Sequence, residues 1–126
     1  MTGEADHLLE FIELRVFTAR WDALTSGDSD LQDPQYQIME DPKAGAVVKG
    51  TRGLRKLRFA PAKGNQGKRG ALRGCYVCFE RHATVLLVIV YAKNEADNLP
   101  EAAKKRINVA IETVEAELEN KHHRKM

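Results

Sequence analysis

Apolar and polar positions along the chain predict four strands separated by short connections. The segment Glu10–Thr18 partly alternates between apolar and polar residues, which predicts a first strand. Further strands are predicted at Leu54–Phe59 and Leu72–Glu80. The segment Thr84–Tyr91 is apolar almost throughout, which is typical of a central strand covered on both faces. The tight connection at 81–83 predicts that the last two strands pair as neighbours.

Two short helices are predicted between the first strand and the others. Thr18 is a suitable N-terminal cap for a helix that carries Trp21 and Leu24 on one face. Asp33 followed by Pro34 is typical of a helix start, because proline lacks the amide hydrogen that the first helical turn leaves unpaired. The sequence therefore predicts a second helix that begins near this pair.

A longer helix is predicted from Pro100 to about Glu119. Its apolar residues recur at three- and four-residue spacing, which predicts one buried stripe. The resulting order, β-α-α-β-β-β-α, predicts an α+β domain with an antiparallel sheet of four to five strands and helices on one face. Gly45–Val48 is a further short strand or extended piece. The apolar stripe of the last helix consists of Ala103, Ile107, Ala110, Ile111, Val114 and Leu118.

Size and composition predict one soluble domain over residues 1–126, with its core at about 10–119. The 126 residues are 43% hydrophobic and 30% charged, which is ordinary for a globular protein. No apolar stretch is long enough to cross a membrane, and the polar, acidic N-terminal residues do not resemble a signal peptide. A cytoplasmic location and no membrane partner are therefore expected.

The basic residues are concentrated in one quarter of the chain. Lys43 to Arg73 spans 31 residues with ten Lys or Arg and no acidic residue, although the formal net charge of the whole chain is only +2. Such a segment repels itself in the folded state, and a polyanionic partner such as a nucleic acid would explain the repulsion. The ten residues are Lys43, Lys49, Arg52, Arg55, Lys56, Arg58, Lys63, Lys68, Arg69 and Arg73.

Strand alternation predicts that some of these cations share a surface. Lys56 and Arg58 lie on one face of their strand and Arg73 lies in the next strand, so the three can converge. A charged, solvated sheet surface is the simpler explanation, but the absence of acidic residues favours phosphate binding. Tyr76 and Tyr91 could stack on a base, although packing in the core is at least as good an explanation for Tyr76.

The two cysteines do not predict a metal or redox site. Cys75, Cys78 and His82 form a C-x2-C-x3-H pattern, which is one ligand short of a closed zinc site. Three residues apart on a strand, the two thiols point to opposite faces. We therefore expect buried, unreactive cysteines, and neither a metal nor a cofactor.

Three ordered segments resemble the HigB-type toxins of the RelE/ParE superfamily. They are G-T-R-G-L-R-K-L-R-F at 50–59, K-R-G-A-L-R at 68–73 and Y-A-K-N-E at 91–95. The resemblance implies a RelE-like fold and the toxin of a type II toxin–antitoxin system. It also implies an endoribonuclease that cuts messenger RNA on the ribosome without metal, by attack of the RNA 2′-hydroxyl on the adjacent phosphate. The implied partners are a helix-turn-helix antitoxin of the HigA kind, the ribosome and messenger RNA.

The resemblance also implies roles for individual residues. Lys56, Arg58, Arg73 and Lys93 match basic positions of the family that act on the phosphate, and Tyr91 is a further candidate for proton transfer or positioning. The residues expected to hold RNA are Arg52, Arg55, Lys63, Lys68, Arg69 and Tyr76.

Departures from the family pattern leave two alternatives open. Arg52 replaces a common glycine, and Gly74 replaces the usual β-branched residue. No His or Tyr opens the last helix, so neither the general acid nor the base-stacking residue is assigned. One alternative is a ParE-like inhibitor of DNA gyrase, which shares the fold. The other is a non-catalytic RNA-binding module.

Overall fold

The computed structural model describes residues 9–25, 28–59, 72–92 and 99–125, with the backbone alone at 28–33 and 122–125. It contains five strands, three helices and one 3-10 turn, at Glu80–His82, within these ranges. No helix in them is long and apolar enough to cross a membrane. In chain order, the helices and strands are β1 (Glu10–Glu13), α1 (Arg15–Leu24), α2 (Asp28–Glu40), β2 (Ala46–Val47), β3 (Arg55–Phe59), β4 (Leu72–Phe79), β5 (Thr84–Ala92) and α3 (Glu101–Lys125).

The strands form one mixed sheet in the order β1-β5-β4-β3-β2. β2 to β5 are antiparallel neighbours, as predicted. β1 instead pairs with β5 in parallel, so the expectation of a purely antiparallel sheet was wrong at this edge. The two helices between β1 and the remaining strands explain the difference, because they carry the chain across and allow parallel pairing.

Helices cover both faces of the sheet, whereas the pattern had predicted one covered face. Phe17 and Trp21 of α1 and Ile38 of α2 pack with Tyr76 and Val85 in one core cluster. This side is the α1 face. On the other side, the α3 face, the apolar stripe of α3 packs on the sheet, as its spacing predicted. The α3-face cluster is made of Leu54, Cys75, Val77, Phe79, Leu86, Val88, Tyr91, Ile107 and Ile111.

β5 is the central strand that its composition predicted. It lies between β1 and β4, and only Ile89 and Ala92 are not fully buried. A register shift between Cys75 and Tyr76 places Val88 as an extra residue in β5, and such a bulge turns the strand locally. Beyond the bulge, Ile89 rather than Val88 pairs with Cys75, which sets the orientation of the strand end that carries Tyr91.

The helix boundaries near the N-terminus differ from the predictions. The predicted strand Glu10–Thr18 ends at Glu13, and α1 begins at Arg15. Phe17 and Trp21 are four residues apart, so a helix places them on the same face, where both are buried and their rings stack with centroids 5.8 Å apart. This packing favours a helix over a strand in this segment. Pro34 lies inside α2 rather than at its start. A proline there removes one helical hydrogen bond, and its side chain is buried.

The turn between β2 and β3 is fastened to α3. The Thr51 hydroxyl donates to Val48 O and accepts from Leu54 N, which closes the turn on itself. Asn108 of α3 accepts from Arg52 N at 2.9 Å and donates to Gly50 O at 3.1 Å. These backbone contacts fix the point at which the chain enters β3.

Candidate nucleic-acid interface

The sheet register aligns three of the predicted site residues in a row across three strands. Arg58 of β3 pairs with Arg73 of β4, which pairs in turn with Tyr91 of β5. Lys56 pairs with Cys75, two residues along and therefore on the same α3 face. The predicted convergence of Lys56, Arg58 and Arg73 on one face is thus present in the fold. We call the three cations together with Tyr91 the cation cluster.

The two arginines of the cation cluster lie opposite each other in neighbouring strands. Directly opposed residues in antiparallel strands have Cβ atoms about 5 Å apart, and like charges there are destabilising. Arg58 is exposed and Arg73 half-buried, and neither forms an ion pair with any residue that the structure describes. Nη1 of Arg73 is buried and has no hydrogen-bond partner among those residues. A phosphate oxygen would supply the missing acceptor and offset the repulsion.

Tyr91 and Cys75 form the buried floor of the cluster. Tyr91 is 4% exposed and Cys75 is 1% exposed, and both belong to the α3-face core. Burial raises the pKa of the Cys75 thiol to about 12, and the positive charge of nearby Lys56 acts in the opposite direction. The thiol is therefore neutral at physiological pH and adds no negative charge beneath Lys56. So deep a position suits Tyr91 to positioning rather than to stacking on a base.

Two residues predicted to contact RNA lie on the α1 face instead. Arg55 donates from Nη1 to Gly45 O at 2.7 Å and to Lys43 O at 3.1 Å. Tyr76 is fully buried, donates to Pro42 O at 2.8 Å and accepts from Gly45 N at 3.2 Å. Burial raises the pKa of Tyr76 as well. Both side chains hold the segment that enters β2, so stacking of Tyr76 on a base was the wrong interpretation and core packing the right one.

Arg52, also predicted to hold RNA, is turned toward α3. Its guanidinium lies 3.4 Å from the Glu112 carboxylate and 3.9 Å from that of Glu115. Its side chain is half exposed, so the charge is accessible but already compensated. The sequence alone could not reveal this pairing, because the partners are 60 and 63 positions away.

Four predicted residues cannot be placed. Lys63, Lys68, Arg69 and Lys93 lie outside the described residues, so their proposed roles remain predictions. The cysteines follow the strand prediction: Cys75 packs on the α3 face, and Cys78 contacts the α1-face core. Both thiols are free. Because residues two apart in a strand lie on the same face, the sequence could have predicted that Cys75 lies beside Arg73 under the cation cluster. The sequence interpretation did not draw this conclusion.

A separate cleft of about 640 Å³ opens at the opposite end of the α3 face, where β4 ends. Here His82 and Arg81 approach the Glu119 carboxylate, at 3.2 and 2.8 Å. Acidic and basic side chains both line the cleft. Its lining includes Arg52, Arg81, His82, Glu80, Glu115 and Glu119.

Comparison with known proteins identifies the fold. No protein-family model matches the chain. A solved structure of an arginine-to-alanine mutant of the Escherichia coli toxin RelE in the free state aligns with a TM-score of 0.53. The alignment covers 79% of this chain and 97% of that chain at 15% identity. The chain has a RelE-like fold.

A second solved structure, the intact E. coli RelBE toxin–antitoxin complex, aligns with a TM-score of 0.49 at 15% identity. That alignment covers 67% of this chain and 95% of that chain. At 15% identity, the likeness to the free RelE structure establishes the fold alone, so activity has to be argued from the cation cluster itself.

Proposed function

We propose that this protein is a HigB-type toxin of the RelE/ParE superfamily that cuts messenger RNA on the ribosome. The observation that carries the proposal is the row of Arg58, Arg73 and Tyr91 across three neighbouring strands, with Lys56 beside it. The RelE-like fold supports the same class. A site built from fixed cations and a tyrosine suits a reaction in which the RNA supplies its own nucleophile.

In the proposed reaction, the ribose 2′-hydroxyl gives up its proton to a base as its oxygen attacks the adjacent phosphorus, and the 5′-oxygen of the next nucleotide leaves and takes up a proton. The products are a 2′,3′-cyclic phosphate and a 5′-hydroxyl. Negative charge grows on the phosphoryl oxygens during attack, and preorganised cations stabilise that charge most effectively where water is excluded. Arg73 is the strongest candidate for this role, because its guanidinium is half-buried and one of its nitrogen atoms lacks an acceptor in the described structure.

The other members have supporting roles in this proposal. Arg58 is exposed and suited to hold the RNA backbone, and Lys56 lies close enough to the floor to influence the Cys75 thiol. Tyr91 orients the cluster from below. Lys93 follows β5 directly in the sequence and is proposed to stabilise the leaving oxygen or to protonate it.

The biological setting follows from the same proposal. A toxin that acts on ribosomes works in the cytoplasm and needs a partner that neutralises it. We propose a helix-turn-helix antitoxin encoded by a neighbouring gene. Co-expression of the two genes should restore growth and yield a stable complex on purification.

The decisive experiment is cleavage of a defined messenger RNA by purified protein on ribosomes. Wild-type protein should cut the message, whereas the Arg73→Ala and Lys56→Ala variants should fold normally and lose cleavage by at least about 100-fold. Arg81→Ala removes an arginine from the opposite end of the same face and should leave cleavage intact. Growth arrest with intact messages would overturn the nuclease proposal and favour the gyrase inhibitor. Binding of RNA without cleavage or growth arrest would favour a non-catalytic module.

A further inference from the structure

The end of β5 that carries Tyr91 receives a hydrogen bond from a side chain of α1. Among the described residues, β1 pairs with β5 only as far as Leu87, whose carbonyl oxygen accepts from Leu14 N at 3.0 Å. Beyond the bulge, the carbonyl oxygen of Val90 accepts from Nε of Arg20 at 2.9 Å. The two residues of this bond are 70 positions apart in the chain, and the bond is partly buried. Arg20 thus continues, from α1, the contacts that β1 makes along the earlier part of β5.

We propose that Arg20 is a positioning residue of the cation cluster, which sets the orientation of Tyr91 through the peptide bond that joins Val90 to Tyr91. Its effect on cleavage rests on the proposed function, whereas its effect on the strand does not. Because a trans peptide unit is planar, a donor that fixes the Val90 carbonyl also fixes the N–H of Tyr91, which points the opposite way. Tyr91 in turn pairs with Arg73 of β4. Arg20 therefore acts on the cluster from the α1 face, on the other side of the sheet.

The chemistry of the contact gives it influence over this strand end. A hydrogen bond from a guanidinium is charge-assisted, and such bonds are stronger than those between neutral groups. Val90 is 0% exposed, so removal of the donor would leave its carbonyl where water is a poor replacement. The bulge locally disrupts the strand ladder just before this point, which makes a contact beyond it more important. Arg20 lies outside the basic segment 43–73, so the charge pattern does not single it out.

Three substitutions at position 20 separate the hydrogen bond from the charge. Arg20→Gln places an amide nitrogen the same number of bonds from the backbone as Nε, so it keeps a donor and loses the charge. Arg20→Met fills similar space without any donor. Arg20→Lys keeps the charge but moves the nitrogen one bond farther out. Arg15→Met is the matched control, because it removes an exposed arginine from the same helix.

The first measurement is single-turnover cleavage of messenger RNA on ribosomes, together with affinity for RNA. Arg20→Met should slow cleavage by about tenfold, because a small displacement of a site residue lowers the rate of the chemical step, and should change RNA affinity by less than about twofold. Arg20→Gln should cut RNA at nearly the wild-type rate and faster than Arg20→Lys. Arg15→Met should match wild type.

Two outcomes of this measurement would overturn the positioning role. One is wild-type cleavage by Arg20→Met, or a loss of RNA affinity as large as its loss of rate. The other is faster cleavage by Arg20→Lys than by Arg20→Gln, which would make the charge rather than the hydrogen bond responsible. The order of these two variants decides the question even if Arg20→Met does not fold.

The second measurement is amide hydrogen exchange in the folded protein, followed by NMR, which does not depend on nuclease activity. Arg20→Met should speed exchange of the Tyr91 amide by about tenfold through local opening, whereas amides at 84–87, before the bulge, should exchange as in wild type. No change at Tyr91, or equal acceleration in both places, would overturn the local effect. If wild-type protein fails to cut RNA but the Tyr91 amide responds as expected, the proposed function fails while the positioning of β5 by Arg20 stands.

Discussion

The arginines at the two ends of the α3 face differ in whether they form ion pairs. At the cleft end, Arg52 and Arg81 reach glutamates of α3 and form ion pairs. At the cluster end, Arg58 and Arg73 oppose each other and form no ion pair with any described residue. Arginines of the first kind join α3 to the turns beside it. Arg58 and Arg73 instead leave their charge accessible to a ligand, at the cost of mutual repulsion in the folded state. The candidate site is therefore marked by the lack of ion pairs at these two arginines, not by the total charge.

Charge reversal at one residue from each end is the strongest way to break the comparison. Arg58→Glu and Arg81→Glu change the net charge equally, but only the first lies in the cation cluster. We expect Arg58→Glu to weaken binding of a single-stranded RNA oligonucleotide by about 100-fold at moderate salt, since attraction is replaced by repulsion at a phosphate contact. Arg81→Glu should change affinity by less than about threefold, because its charge is exposed and already paired.

Fluorescence anisotropy over a range of salt concentrations measures both variants. For Arg58→Glu alone, the slope of the logarithm of affinity against the logarithm of salt concentration should become shallower by about 0.7, the value that corresponds to one phosphate contact on a single strand. Equal losses in the two variants would mean that RNA senses only net charge, and the contrast between the two ends would then carry no functional meaning.

The packing of β3 and β4 on the α1 face, on the other side of the sheet from the cluster, predicts an effect on the free energy of unfolding. A Cβ added at Gly74 would lie 2.1 Å from Cε2 of Phe59, so the phenyl ring occupies the space that a side chain would need. Gly74→Ala should lower the free energy of unfolding by about 2 kcal/mol through overpacking. Urea denaturation measures the loss. Adding Phe59→Leu should recover part of it, and no recovery would show that the ring is not the obstacle.

This contact also explains the presence of glycine in the middle of β4. Gly74 lies inside a strand, where glycine is normally unfavourable, and the sequence does not show why it is there. The reason is Phe59, which pairs with Leu72 and projects across to Gly74 on the α1 face. Glycine weakens the strand, but it leaves the space that the Phe59 ring occupies.

The fold could be predicted where local pattern decides it. Strand alternation was enough to place Lys56 and Arg58 on one face, and apolar spacing was enough to find the buried stripe of α3. The parallel pairing of β1 and the early start of α1 were missed, because they depend on contacts between distant segments, such as those of Phe17 and Trp21 with the core beside β5. Local propensity cannot report such contacts.

The candidate site was predictable only in part for the same reason. Arg52, Arg55 and Arg73 look equivalent in a basic run, yet one pairs with glutamates, one binds backbone carbonyls on the other face and one lies in the cluster. Their differences come from partners far away in the chain. The alternation of side chains along β4 could also have predicted that Cys75 lies on the same face as Arg73.

The raised pKa values of the buried Cys75 thiol and Tyr76 hydroxyl predict that the free energy of unfolding falls at alkaline pH. Because folding raises the pKa of Cys75 from 9.0 to about 12, the folded thiol keeps a proton that the unfolded chain releases above about pH 9. The stabilisation is therefore complete below pH 9 and is lost as pH rises toward 12, by up to about 1.4 kcal/mol per pH unit for this group. Tyr76, whose pKa is also raised by burial, should add to the loss above pH 10.

Urea unfolding at several alkaline pH values tests this expectation. Cys75→Ala should reduce the decline between pH 9 and 10, where the two cysteines rather than the tyrosine titrate in the unfolded chain. Cys78→Ala should reduce the decline less, because burial raises the pKa of that half-buried thiol too, but the thiol of Cys75 is buried more deeply. An unchanged slope in the Cys75→Ala variant would show that another group carries the effect. The cluster end would then lack the protonated floor that distinguishes it from the cleft end.

The smallest expected effect lies at the cleft end and asks what its paired arginines contribute. Arg52→Ala removes two ion pairs between half-exposed groups and should change the free energy of unfolding by less than about 0.5 kcal/mol. Asn108→Ala should cost about 1 kcal/mol or more, because it removes two hydrogen bonds to the backbone of the same turn. Urea denaturation at low and high salt separates the two, since only the arginine contribution should weaken with salt. A larger loss for Arg52→Ala than for Asn108→Ala would reverse this assignment and make the ion pairs, rather than the amide, the fastening of α3 to the turn.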